Sequence, residues 1–405
     1  MYIMMEQQDI IKLINVYHRR LALVSMDFKR YLHKAINWDA RMIGIKGARG
    51  VGKTTLVLQH IKETFDNVDD TLWVSLDNLW FKTHDVDDLV EHLYVRGIRI
   101  IFFDEVHKCK NWAEQLKNFY DEYPDLKIVY TGSSMLEIDN SKVDLARRQI
   151  LYTLSSMSFR EYLEYIGEVS IPAISIEQLL SNHVEIAMDV TAKTMVMRHF
   201  EDYINHGCYP FFKESGIDFH QQLAATVNLV IESDMVAVTD VTYATIEKTK
   251  KLLSIIAGNV PFVPNVAKLC AALETTRDSC LRMLYALERA NILSLLTREL
   301  KSYKHLVSPE KVYLNNTNLM ESLASKSEIG NKRETFFMNQ VEQVASIQSA
   351  PKGDFLVSGK YLFEVGGADK TFLQIKDIPD SYLAVDDTEI GHGNRVPLWM
   401  FGLLY

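Results

Sequence analysis

One short segment limits the fold of this chain more than any other: the run GARGVGKT at residues 47–54. It fits the pattern G-x-x-x-x-G-K-[ST] at every fixed position. The apolar run MIGIK precedes it, and a stretch with helical spacing follows it. This order matters because the N–H groups of the loop and of the helix N-terminus then point at one anion. The segment therefore predicts a phosphate-binding loop inside an α/β fold.

Each residue type in this loop has a defined use. The glycines let the backbone turn tightly and approach a phosphate without a Cβ clash. We expect Lys53 to reach the β- and γ-phosphates of ATP, and the Thr54 hydroxyl to bind Mg²⁺. Arg49 occupies a variable position, and we expect it to point outward, toward a partner. The predicted nucleotide contacts are Gly47, Ala48, Arg49, Gly50, Val51, Gly52, Lys53, Thr54 and Thr55.

A second motif, IIFFDE at residues 100–105, is an apolar strand that ends in two carboxylates. We expect Asp104 to hold Mg²⁺, directly or through water, and Glu105 to polarise the attacking water. The alternative is that both residues only cap the strand. Because the loop and this motif must grip one metal–triphosphate unit, we expect them to face each other across adjacent strands.

Further candidates follow the apolar strand KIVY. Thr131 or Ser133 can sense the γ-phosphate, the alternative being a simple Gly-Ser turn. Arg147 or Arg148 can stabilise transition-state charge from its own or a neighbouring subunit, the alternative being a surface basic pair. The predicted catalytic set is Lys53, Asp104, Glu105, Thr131 and Arg148.

Three long segments carry a family resemblance: GARGVGKTTL, FFDEVHKCKNWAEQLKNFYDEYPDLKIVYTGSSMLEI and ARRQILYTLSSMSFREYL. They resemble prokaryotic AAA+ superfamily ATPases of the archaeal-type and STAND-related group, as do HGCYPFF at 206–212 and KVYLNNTNL at 311–319. The resemblance implies a three-layer αβα core with a parallel sheet, a helical lid, a winged helix and a small C-terminal restriction-endonuclease-like domain. Arg148 matches the family's arginine. The residue before it, usually small, is Arg147 here, so which arginine acts stays open.

The pattern along the chain predicts five parts. Residues 1–38 have helical spacing, and residues 39–160 alternate apolar strands with helices, which is typical of a buried parallel sheet. Residues 161–247 read as a helical lid or linker. We assign residues 248–325 to the winged helix and residues 326–405 to the C-terminal domain, which we expect to be degenerate as a nuclease.

The winged-helix candidate has a composition unlike the rest of the chain. Residues 248–314 read as three helices and a hairpin, with eleven Lys and Arg against five Asp and Glu. Arg277, Arg282 and Arg289 fall on or near the polar face of the third helix, as expected of a recognition helix laid against DNA. The alternative is a module for protein contacts with a solvated basic face.

The C-terminal candidate rests on three carboxylates. Glu334, Asp354 and Glu364 could share a metal, as in restriction-type nucleases. Such sites also need a lysine two residues after the glutamate, but that position is Gly366 here. Lys370 could replace it, with Gln374 assisting. The alternative is a degenerate fold used for binding or assembly.

Bulk properties exclude some functions. The 405 residues carry a net charge of −9, so any contact with DNA must be local. The four cysteines form no CxxC pair, which indicates reduced thiols. The sequence has neither a signal-peptide pattern nor a run of about 20 apolar residues. We therefore expect a cytoplasmic protein without membrane contact.

The favoured interpretation is an ATPase that uses Mg²⁺ and whose nucleotide state moves the winged helix and the C-terminal domain. One alternative is a slow ATP-gated switch that recruits DNA or a protein. Another is a DNA nuclease under ATP control. Self-association is also open.

Overall fold

The computed structural model describes residues 7–132, 145, 147–234, 242–298, 307–324 and 328–405. The chain divides into two compact units, Met1–Ser155 and Ser156–Tyr405. Among the described residues, no helix is long and apolar enough to cross a membrane. All four cysteines are free thiols.

The first unit contains a five-stranded parallel sheet, in agreement with the predicted α/β core. Its strands are β1 (Met42–Lys46), β2 (Thr71–Ser75), β3 (Ile100–Asp104), β4 (Lys127–Gly132) and β5 (Ile150–Thr153). The helices are α1 (Gln7–Leu23), α2 (Leu32–Ala35), α3 (Lys53–Thr64), α4 (Val86–Val95) and α5 (Trp112–Glu122). Because β1, β3 and β4 are nearly continuous buried runs, they form the centre of the sheet.

The strand order is β2-β3-β4-β1-β5. The expectation that the loop after β1 and the carboxylates after β3 face each other across adjacent strands is therefore wrong, because β4 lies between them. All five strands run in the same direction, so their carboxyl ends meet at one edge of the sheet. The end of β4, with Thr131, consequently lies between the two motifs.

The N-terminal segment is less helical than its spacing predicts. Helix α1 ends at Leu23, and only the single turn α2 follows. Between them the Ser25 hydroxyl donates to the Asp27 carboxylate at 2.8 Å. The Gln59 amide of α3 donates to the carbonyl oxygens of Ser25 at 2.8 Å and Phe28 at 2.7 Å. Polar side chains thus satisfy this backbone in a non-helical path.

The second unit begins with helices and π-helical turns. Its helices are α6 (Phe159–Tyr165), α7 (Ile176–Thr191), α8 (Val196–Asp202), α9 (Phe212–Ser215), α10 (Phe219–Leu229), α11 (Tyr243–Ala257), α12 (Val266–Ala272), α13 (Arg277–Arg289), α14 (Thr317–Leu323) and α15 (Ile329–Val341). Strands β6 (Leu293–Leu296) and β7 (Lys311–Leu314) pair antiparallel after α13. The expected three helices and the two paired strands of the hairpin are therefore present as elements.

The last part of the chain forms a second five-stranded sheet. Its strands are β8 (Ile347–Ser349), β9 (Phe355–Val357), β10 (Tyr361–Gly366), β11 (Ser381–Val385) and β12 (Arg395–Pro397). Strands β8, β9 and β10 pair antiparallel, whereas β10, β11 and β12 pair parallel. The apolar ending is a buried 3-10 helix, Leu398–Leu403, which follows β12.

The segments HGCYPFF and KVYLNNTNL meet in the core of the second unit. A π-helical turn, Tyr203–Gly207, leaves backbone carbonyls without regular helical partners. The Asn318 amide donates to the carbonyl oxygens of Tyr203 at 3.2 Å and Ile204 at 2.8 Å, and accepts from the Cys208 N–H at 2.8 Å. One buried side chain therefore satisfies both ends of this turn.

Candidate active site

The loop between β1 and α3 has the shape that its glycines allow. Gly50 has φ 82° and Gly52 has φ 96°, a region that residues with a Cβ rarely adopt. Gly47 is required for a different reason, since a Cβ there would lie 2.3 Å from the Leu154 carbonyl oxygen. The loop therefore packs directly on the chain that leaves β5.

Lys53 and Thr54 open α3 directly after this loop. The Lys53 side chain is buried, and its ammonium donates to the carbonyl oxygens of Gly47 at 2.9 Å and Ala48 at 2.8 Å. The Thr54 hydroxyl donates to the Asp104 carboxylate at 2.9 Å. The loop residues and the second motif are thus in direct contact.

Asp104 is almost fully buried at the end of β3. Its second carboxylate oxygen accepts from the Thr131 hydroxyl of β4. Burial raises the pKa of Asp104 to about 6, although hydrogen bonds from Thr131 and Thr54 and the nearby Lys53 ammonium act in the opposite direction. The carboxylate is therefore still mostly ionised at neutral pH. Its oxygen and the Thr54 hydroxyl are hard ligands of the kind that Mg²⁺ prefers.

Glu105 follows in a strained backbone conformation. Its φ is 54° and its ψ is 44°, a left-handed conformation that is uncommon for glutamate. Its N–H donates to the Thr131 hydroxyl at 3.3 Å. One carboxylate oxygen lies 3.3 Å from Nε2 of His107, whose side chain is only 1% exposed. His107 is thus a site residue that the motif pattern did not identify.

The remaining predicted residues of the first unit lie in different surroundings. Arg148 makes a two-pronged ion pair with Asp121 of α5, at 2.9 Å and 2.8 Å, while Arg147 is exposed. Arg49 is half-buried. Ser133 lies outside the described residues, while Thr131 lies at the end of β4 beside Asp104.

The three arginines proposed for DNA contact all lie exposed on α13. Arg282 pairs with Asp278 one turn earlier at 2.8 Å, and both side chains are mostly solvent-exposed. Exposed pairs of this kind contribute little to stability, so they do not tie the guanidinium to the protein.

The three C-terminal carboxylates are each matched by a cation. The Lys311 ammonium lies 3.1 Å from Glu334 and 3.4 Å from Asp354. Lys370 lies 2.6 Å from Glu364, and its side chain occupies the space beside Gly366 where a Cβ would go. In the described part of the chain, no group of three or more acidic, His or Cys side chains could hold a metal. The expected shared metal site therefore does not fit this arrangement.

Comparison with known families matches two stretches of the chain. Residues 39–163 match the family model of the AAA domain. Residues 197–330 match a family described as a domain of unknown function, DUF8612. The curated protein "Uncharacterized protein MJ1637" of Methanocaldococcus jannaschii is 28% identical over 281 residues, which cover 65% of this chain. The match spans 59% of that relative's length.

Three solved structures resemble this chain at lower sequence identity than the curated relative does. "Replication initiator DnaA bound to AMPPCP and single-stranded DNA" is 9% identical, with 70% of this chain and 89% of that chain covered and a TM-score of 0.29. PCH-2 of C. elegans is 14% identical, with coverages of 70% and 66% and a TM-score of 0.24. A structure of katanin self-assembly is 17% identical, with coverages of 48% and 72% and a TM-score of 0.23. Scores this low do not define the fold of this chain, which rests on its own sheet.

Proposed function

We propose that the AAA domain in residues 39–163 binds ATP with Mg²⁺ and hydrolyses it. The observation that carries the proposal is the contact between the Thr54 hydroxyl and the Asp104 carboxylate at 2.9 Å, at the C-terminal end of a parallel sheet. A glycine-rich loop, a buried lysine and a strand-end carboxylate thus converge at one point. This combination suits a magnesium-bound triphosphate.

Each residue has a defined part in this mechanism. The Lys53 ammonium exchanges its two loop carbonyls for β- and γ-phosphate oxygens, and loop N–H groups hold the β-phosphate. Thr54 and Asp104 hold Mg²⁺, which offsets phosphate charge when it is bound. The Glu105 carboxylate orients and polarises the attacking water, and Thr131 orients both carboxylate residues through its hydroxyl.

Arg148 supports charge in the transition state, in this proposal, only after it leaves Asp121. The two-pronged ion pair occupies the guanidinium, and its hydrogen bond lowers the pKa of the Asp121 carboxyl. The alternative, Arg147, is exposed. Separate Arg148→Ala and Arg147→Ala variants decide between the two arginines, because kcat falls only when the arginine that acts in the reaction is replaced.

Phosphate release tests the proposal directly. We expect Lys53→Ala to lose nucleotide binding, and Glu105→Gln to bind ATP like the parent while kcat falls by about 100-fold or more. The matched control is Glu114→Gln, an exposed carboxylate in the first turn of α5, which should leave both values unchanged. A parent protein that binds Mg-ATP but never releases phosphate would rule out hydrolysis and favour a slow ATP-gated switch.

DNA is the proposed target of the second unit. The exposed arginines of α13 and the local positive charge support this, and turnover measured with and without DNA tests whether nucleotide state and DNA binding are coupled. A nuclease activity finds less support, because each of the three carboxylates already forms an ion pair, two of them with Lys311 and one with Lys370. Asp354→Ala and Glu364→Ala would be informative only if the parent cuts DNA.

A further inference from the structure

A buried arginine outside both motifs contacts the phosphate loop. Arg30 precedes α2 and is only 4% exposed. Its guanidinium donates to the carbonyl oxygen of Val51, inside the loop, and at 2.9 Å to the carbonyl oxygen of Ser155, beyond β5. Burying a guanidinium is costly unless hydrogen bonds compensate for the lost water. These two carbonyl contacts are therefore central to keeping it there.

The bond to Val51 has a consequence for the next residue. In a planar trans peptide the carbonyl oxygen and the following N–H point in opposite directions. When Arg30 holds the Val51 carbonyl, the N–H of Gly52 must point away from Arg30. Gly52 has φ 96°, and glycine has the least resistance to rotation of the peptide before it. The Arg30 bond thus removes a rotation that Gly52 would otherwise allow.

Further hydrogen bonds fix the backbone at the end of β5, which is the second anchor of Arg30. The Tyr31 hydroxyl donates to the Thr153 carbonyl at 3.2 Å, and Leu154 donates its N–H to the Lys46 carbonyl at 2.8 Å. Arg30 therefore links the Val51 carbonyl of the loop to a backbone segment after β5 that other bonds fix. Its guanidinium has little freedom to let the Val51 carbonyl turn.

We propose that Arg30 is a positioning residue of the phosphate loop: it holds the Val51 carbonyl so that the Gly52 N–H faces the bound nucleotide. This inference rests on the proposed nucleotide binding and deepens it. Arg30 acts through the loop backbone, so it affects affinity for the phosphates and not the water that attacks them.

The test compares nucleotide affinity and turnover in the full chain. Arg30→Met keeps most of the apolar stem and removes the guanidinium, and Arg30→Lys keeps a charge that can reach one carbonyl. We expect Arg30→Met to raise the Kd for Mg-ADP and the KM for ATP by about tenfold, with kcat nearly unchanged. Arg30→Lys should lie between Arg30→Met and the parent. Calorimetric titration with Mg-ADP measures the Kd, and circular dichroism checks that each variant is folded.

Arg41→Met is the matched control. Arg41 also donates to backbone carbonyls, those of Tyr120, Tyr123 and Leu126, but it lies at the opposite end of β1 from the loop. Its loss should lower the melting temperature and leave the Kd for ADP at the parent value. A purely structural role for Arg30 predicts the same behaviour for both arginines.

The outcomes separate this inference from the proposed function. Folded variants at position 30 that bind ADP within about twofold of the parent overturn it, as does a fall in kcat with unchanged affinity. If Arg30→Met does not fold, Arg30→Lys decides alone. If the parent binds ADP but does not hydrolyse ATP, hydrolysis is wrong and the ADP titration still tests Arg30. A parent that binds no nucleotide overturns both.

Discussion

The Thr131 hydroxyl bonds to both acidic residues of the second motif, because it acts as a donor to one and as an acceptor to the other. It donates to the Asp104 carboxylate and accepts from the Glu105 N–H. The strained backbone of Glu105 costs roughly 1–3 kcal/mol, which the surrounding bonds must offset. A single hydroxyl on β4 therefore helps to hold Asp104, at the end of β3, and Glu105, directly after it.

His107 should act on the reaction through Glu105. Its buried ring lies 3.3 Å from the Glu105 carboxylate and restricts the positions that this group can take. We expect His107→Ala to lower kcat by about tenfold with an unchanged Kd for Mg-ADP, because binding does not require an oriented Glu105. His107→Gln keeps a donor near the Nε2 position and should recover most of the rate. Steady-state phosphate release and ADP titration measure the two effects.

A matched control for His107 exists in the same unit. His18 also pairs with a carboxylate, Asp69, at 2.7 Å, but on the exposed side of α1. His18→Ala should leave kcat unchanged. If His107→Gln is as slow as His107→Ala, or if both variants lose ADP affinity, His107 is a packing residue and the prediction is wrong.

At the scale of elements, burial decides which strands the sequence can predict. Strands β1, β3 and β4 are buried on nearly every residue, so their apolar runs predict them directly. Strand β5, ILYT, also begins with three apolar residues, but it is an edge strand with mostly exposed side chains, so its burial does not follow from its sequence. The insertion of β4 between β1 and β3 is equally invisible, because strand order depends on tertiary packing.

The same reasoning explains why the site was only partly predictable. The loop, Asp104 and Glu105 follow a local pattern, since the chemistry needs these residues at fixed spacings. Arg30 and the loop are 21 residues apart, counted to Val51, and no local spacing relates them. His107 stands two residues after Glu105, but a histidine there has no general meaning until its burial is known.

Helix α3 packs against the N-terminal segment through a titratable contact. The His60 ring stacks on Trp38, with centroids 3.6 Å apart and planes at 5°. Burial, followed by the nearby His33, lowers the pKa of His60 to about 4. The folded protein therefore keeps this ring neutral at pH values where an unfolded chain, with a pKa of about 6.5, protonates it.

This contact predicts a loss of stability in acid. The stabilisation linked to His60 is complete above pH 6.5 and is lost as the pH falls toward 4. Between pH 7 and pH 5 the titration of His60 should lower the free energy of unfolding by about 2 kcal/mol. His60→Phe keeps an aromatic ring on Trp38 but cannot titrate, so the first unit of this variant should lose less stability over that range. Urea unfolding followed by tryptophan fluorescence at both pH values measures the difference.

His33 titrates in the parent and in the variant, so comparing the two isolates His60. Burial also lowers the pKa of His33, in the same direction as that of His60. Equal losses of stability in the parent and in His60→Phe would mean that His60 is not neutral in the folded state at pH 5.

At the scale of the whole molecule, charge is distributed unevenly. The chain has a net charge of −9, yet residues 248–314 carry an excess of six positive charges. Long-range attraction to DNA is therefore weak or absent for the molecule as a whole, and binding must depend on the local surface. Three of these positive charges, Arg277, Arg282 and Arg289, lie on the exposed face of α13.

Replacing these three arginines by alanine should weaken binding to duplex DNA and reduce its dependence on salt. Each lost phosphate contact removes about 0.9 from the slope of log K against log salt concentration, so the triple variant should lose about 3. The Asp278 partner of Arg282 does not prevent the contact, since an exposed pair is worth at most about 1 kcal/mol. Fluorescence anisotropy with labelled duplexes between 50 and about 200 mM salt measures the slope.

The control must change net charge equally at another place, because any loss of positive charge weakens attraction to DNA. Lys12, Arg19 and Arg20 lie exposed on α1, and their replacement by alanine removes the same three charges from the first unit. A local recognition surface predicts that this control keeps the parent slope. Equal losses in both triple variants would assign the salt dependence to overall charge, and no loss in the α13 variant would exclude that helix from the interface.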